Sequence, residues 1–91
     1  MTGVNLAALR QYEEALAELS RIYERKISAL CDEAAIRLGL TDAVDRLSKI
    51  ERRQFVEMFA ADAFAVLERE HNEGCLRAWK EKKQRSTGGQ P

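Results

Sequence analysis

From Leu9 to Leu38 the apolar side chains recur at a spacing that only a helix brings onto one side. Leu9, Tyr12, Leu16, Leu19, Tyr23, Ile27, Leu30, Ala34 and Leu38 follow one another at intervals of 3, 4, 3, 4, 4, 3, 4 and 4. A strand would need alternation in twos. Arg10, Glu13, Glu14, Glu18, Arg21, Glu24, Arg25 and Arg37 fall between the stripe positions, and the stretch holds no Pro and no Gly before Gly39. Nothing there breaks a helix. Asn5 has the side chain of an N-cap and Gly39 the freedom of a C-terminal stop. The predicted helix over 6–38 is roughly 50 Å long at 1.5 Å per residue, too long for one arm of a compact monomer. Successive intervals of 4 after Leu19 depart from a strict heptad and predict a fairly straight helix.

Gly39-Leu40-Thr41-Asp42 is the clear connector, with Thr41 or Asp42 able to accept from the first free amides of the next helical segment. Ala43, Val44, Leu47 and Ile50 carry an apolar face through a short helical segment. Ser48-Lys49-Ile50-Glu51 then has the form of a capping box and starts a second long helix, expected over 49–84. The helix is expected to continue through His71-Asn72-Glu73-Gly74, with or without a bend, although a mid-helix Gly costs about 1 kcal/mol relative to Ala. The predicted fold is all-α: one domain over residues 1–85, a long two-helix antiparallel hairpin with a short helical connector, and a flexible tail over 86–91. Folding the hairpin about residues 43 and 44 sets Leu30 near Glu57, Tyr23 near Phe64 and Leu16 near His71.

The stretch from Phe55 to Leu67 is apolar around most of its circumference, interrupted only by Glu57 and Asp62. One facing helix cannot cover so wide a surface. The expected solution is a homodimer in which two hairpins form a four-helix bundle, with Phe55, Met58, Phe59, Phe64, Val66 and Leu67 at the interface. Asp62 lies among these apolar neighbours; the hairpin arithmetic offers it Arg25, with Arg21 nearby, and the alternative is that it reaches water at a bundle edge.

The 91 residues carry 15 basic and 15 acidic side chains and a formal net charge of zero. That balance argues against a dedicated nucleic-acid binder, which needs a cationic surplus. The amino end shows no secretory pattern, and the densest apolar stretch is too short and too charged to span a bilayer. A cytoplasmic location is therefore expected, without membrane contact. Cys31 and Cys75 form no CxxC pair and have no zinc-finger spacing, so thiols are expected.

Glu68-Arg69-Glu70-His71 places a carboxylate and an imidazole one turn apart on a helix. These four residues resemble the Glu-x-x-His ligand motif of ferritin-like di-iron proteins. That resemblance implies a metal-binding bundle in which two copies supply Glu68 and His71, with Glu18 or Glu14 from the first helix. The plainer reading is a solvated His beside surface carboxylates. His71 and Cys75 are also one turn apart, but zinc would require two further ligands. No nucleophilic triad and no phosphate-binding loop is visible, so neither catalysis nor a cofactor is expected. Arg77, Lys80, Lys82, Lys83 and Arg85 make the carboxyl end basic, with Trp79 among them, a feature that suits either a nucleic-acid contact or the negative end of a helix dipole. The leading expectation is a non-enzymatic helical interaction module, an adaptor, anti-activator or accessory subunit, whose partners are itself and another protein. Metal binding and nucleic-acid binding are the alternatives.

Overall fold

The computed structural model describes residues 5–87. Four helices account for nearly all of them: α1 over Leu6–Leu38, α2 over Thr41–Val44, α3 over Lys49–Phe59 and α4 over Ala61–Thr87. There is no strand among the described residues. The first helix has the boundaries that its caps predict. The Asn5 side chain accepts a hydrogen bond from the Ala8 amide at 3.1 Å. Gly39 turns left-handed at φ 71°, which lets the Gly39 and Leu40 amides donate back to the Ile36 and Ala35 carbonyls at 3.2 and 2.8 Å. The cap expected from Thr41 or Asp42 does not form. Leu40 occupies the N-cap position of α2 and supplies no side-chain bond. The short helix is held instead by Val44, which is buried against the larger elements.

At the start of α3 the Ser48 hydroxyl accepts from the Glu51 amide at 3.2 Å and the Glu51 carboxylate accepts from the Ser48 amide at 2.9 Å. Both halves of the predicted capping box are present. The single helix expected over 49–84 is not. Ala60 leaves helical geometry at φ −140° and ψ 48°, and the chain doubles back there. Arg53, ahead of the break, reaches both the Glu68 carboxylate at 3.7 Å and the Phe64 ring at 5.9 Å behind it. Lys49 lies 3.4 Å from Glu24, while Arg37 donates to the Phe59 carbonyl at 3.0 Å. These two contacts set α3 alongside the second half of α1, running the same way. The Arg37 bond also satisfies a carbonyl that the end of α3 leaves without a helical partner.

α1 and α4 form the antiparallel hairpin that the sequence implies. Along its length Asn5 donates to the Arg85 carbonyl at 3.3 Å, the Lys82 ammonium sits 5.2 Å from the Tyr12 ring centre, and Lys26 meets Glu70 at 3.6 Å. The register differs from the predicted one. His71 stacks on Tyr23, ring centres 4.6 Å apart, where Leu16 was expected. A shift from position 16 to position 23 is seven residues, about two turns. Leu40 to Ser48 and the reversal at Ala60 both consume chain that a simple hairpin would have placed in the long arms. As expected, α4 continues through Gly74, which is buried with a Leu19 methyl 2.9 Å from where its Cβ would stand. Its lack of a side chain brings the two long helices close.

The molecule measures 60 × 22 × 14 Å between Cα extremes. Three helices lie together at the end that holds α3, and two continue to the other end. The main core cluster, Ile27, Cys31, Ala35, Val44, Val56 and Leu67, sits where α3 covers the α1–α4 pair. The buried positions are mostly small side chains, with no aromatic ring among those fully covered. Residues 86 and 87 belong to α4, and the rest of the predicted tail lies outside the described residues.

Candidate functional site

The six predicted interface residues do not share one environment. Leu67 is buried in the core, Phe55 and Phe64 are half-buried against it, and Met58, Phe59 and Val66 stay outside at 72%, 42% and 43% exposure. Val56, outside the predicted interface set, is the fully covered side chain of α3. The break at Ala60 causes this division. By folding α3 back, it uses Val56, Phe55 and Phe64 to fill the three-helix end and turns Met58 away from it, while the Phe59 ring packs on Phe55 at 4.8 Å and stays partly exposed. Two hollows of about 410 and 400 Å³ lie on the outward side and share Leu30, Glu33 and Ala63. Met58 and Phe59 line the first hollow, Val66 the second. Together they make one face that crosses from α3 to α4, mostly apolar beside Val66 and mixed beside Met58 and Phe59, where Glu33, Arg37 and Asp62 stand. Asp62 stands exposed in the first turn of α4, where the positive end of the helix dipole favours a carboxylate. It forms no salt bridge with Arg25 or Arg21. Arg21 pairs with Glu18 instead.

A polar cluster joins the three helices on the other flank. The Tyr23 hydroxyl donates to the Glu68 carboxylate, which also receives Arg53. Burial and the acceptor Glu68 push the Tyr23 hydroxyl up to about 12, because both disfavour a phenolate. The His71 ring packs on Tyr23, its Nε2 is 3.7 Å from the Cys75 sulfur, and its Nδ1 is buried with no hydrogen-bond partner. Burial likewise raises the Cys31 thiol above its ordinary value. Both cysteines are free thiols.

The carboxylate set that the di-iron resemblance implies does not come together. The register places Tyr23, not Glu18, beside Glu68 and His71, and Glu18 is engaged with Arg21 on the surface. Among the described residues no three His, Cys, Asp or Glu side chains are placed to hold a metal ion. The basic end also divides. Lys82 turns in over Tyr12 and Arg85 reaches Gln11, while Lys83 lies 5.1 Å over the exposed Trp79 ring. At 100° per residue, Arg77, Lys80 and Lys83, at i, i+3 and i+6, fall within about 120° of one side of α4, and all three are exposed.

The sequence reading missed a third feature, a cleft of about 670 Å³ between α1 and the start of α3. Arg21, Arg25, Lys49, Arg52 and Arg53 line it, with Tyr23, Ile27 and Ile50. The adjacent Arg52 and Arg53 after the capping box were the available signal. Only the return of α3 along α1 makes them neighbours of Arg21 and Arg25. No helix among the described residues is long and apolar enough to cross a membrane. Comparison with protein-family models, curated proteins and solved structures returned no match to this chain.

Proposed function

We propose that this chain is a non-enzymatic helical interaction module that works through protein–protein contacts, first with a second copy of itself. The observation that carries the reading is the face around Ala60, with Met58 at 72%, Phe59 at 42% and Val66 at 43% exposure beside two connected hollows. Apolar side chains gathered in this way gain most by being covered, at roughly 25 cal/mol per Å² removed from water. The core within one chain adds to the argument. It is built largely from Ala, Val and Cys, and its main cluster sits at one end of a molecule 60 Å long, with the small Ala8 and Ala78 buried toward the other. In a two-fold pair the face meets its own copy, Arg37 on one chain can meet Glu33 or Asp62 on the other, and four long helices share one core. An adaptor or accessory role is available if another protein presents a similar helical face. For the metal-binding alternative no three ligands are placed together among the described residues, and the nucleic-acid alternative rests on the exposed Arg77, Lys80 and Lys83 in a chain of zero net charge.

Sedimentation equilibrium tests the reading. The wild-type chain is expected to sediment as a dimer at micromolar concentration, and Met58→Asp with Val66→Asp as a monomer. Both replaced side chains are exposed, so the variant should keep the helical circular dichroism of the parent. A wild-type monomer at every concentration, or a dimer indifferent to both substitutions, would refute the proposed face.

A further inference from the structure

We infer that the cleft between α1 and the start of α3 is a binding site for a small amphiphilic organic anion: an aryl or branched alkyl body carrying a carboxylate, sulfonate or phosphate. Its volume of about 670 Å³ falls within the range of small-molecule sites, roughly 300 to 1,000 Å³. The buried Ile27, the half-buried Tyr23 ring and the exposed Ile50 give the body an apolar surface to lie against. Around that surface stand Arg21, Arg25, Lys49, Arg52 and Arg53, and Glu24 is the one carboxylate on the lining. A cation would meet repulsion there, and a neutral molecule would leave the charges unused.

Arg21 is held by Glu18, and the other four cations are open to exchange with a ligand. Lys49–Glu24, Arg53–Glu68 and Arg52–Asp32 are loose pairs at 3.4, 3.7 and 3.9 Å. Arg52 and Glu68 are half-buried, at 25% and 33% exposure, whereas a pair as exposed as Lys49–Glu24 contributes about 0 to 1 kcal/mol, so exchanging its carboxylate for that of a ligand costs little. Lys49 offsets Glu24, the acidic group an incoming anion would otherwise face. Arg25 has no ion-pair or hydrogen-bond partner among the described residues. The Ser20 and Ser28 hydroxyls add neutral donors on the α1 wall. Four of the cations are arginines, whose planar fork can hold two oxygens of one acid group at once.

The test is a ¹⁵N–¹H NMR titration with 8-anilinonaphthalene-1-sulfonate and with its uncharged analogue, N-phenyl-1-naphthylamine. The sulfonate is expected to shift the amides of residues 20–28 and 49–53 and to bind at least roughly tenfold more tightly than the neutral probe. Raising salt to about 0.5 M should remove most of that advantage. Arg25→Glu, at an exposed position without a partner, should weaken the sulfonate by about tenfold and leave the neutral probe unchanged. Equal affinity for the two probes, shifts centred on Met58 and Val66, no binding at all, or an Arg25→Glu variant that binds the sulfonate like wild type would each overturn the assignment.

Discussion

Tyr23 shows how one residue ties three elements together. It lies on the apolar stripe of α1, stacks on His71 of α4, and donates its hydroxyl to Glu68, which in turn holds Arg53 of α3. The stripe position was legible in the sequence, but the partners were not, because a two-turn shift in register exchanges every neighbour. The raised hydroxyl gives a pH dependence of known sign. Folding favours the protonated phenol, so its contribution is fully present below the ordinary tyrosine value near 10 and is lost as pH rises through about 12. Urea midpoints measured between pH 9 and pH 12 should therefore fall, and Tyr23→Phe should fall less steeply over the same interval. Parallel curves would mean that the hydrogen bond to Glu68 does not couple to folding.

Among the elements, α1 was readable to the residue, and the second arm was not. Asn5 and Gly39 are strong local signals, and the structure uses both. Ser48 and Glu51 are equally local and equally visible. The break at Ala60 has no such mark. Phe59-Ala60-Ala61 contains neither Gly nor Pro, and alanine is the best helix former. What ends α3 there comes from elsewhere in the chain: Arg37 of α1 takes the Phe59 carbonyl, and Phe64 packs back toward the core. Gly74 makes the opposite case, a residue that looks like a weak point and serves as a contact. A Cβ there stands 2.9 Å from the movable end of Leu19. Gly74→Ala should be close to neutral, since a gain of up to about 1 kcal/mol in helix propensity is set against a small shift of Leu19. Gly74→Leu forces the helices apart and should cost about 1 to 3 kcal/mol in chemical denaturation. A Leu variant as stable as wild type would show that α1 and α4 do not close at this point.

For the molecule as a whole, the all-helical class and the α1–α4 hairpin could be read from periodicity and caps. The division of the apolar surface could not. The sequence shows that Phe55 to Leu67 carries too much apolar surface for one helix to cover; it does not show that Val56, Phe55 and Phe64 are used inside the chain while Met58, Phe59 and Val66 are left outside. The same fold-back that makes this division assembles the basic cleft from residues far apart in sequence. Under the proposed self-association, stability and assembly are linked, because chains that pair only when folded are stabilised by concentration. The most direct test is to record thermal unfolding by circular dichroism at two protein concentrations a hundredfold apart. The account predicts a midpoint higher by about 5 °C or more at the higher concentration, and no such rise in Met58→Asp with Val66→Asp. A wild-type midpoint that is the same at both concentrations would contradict it.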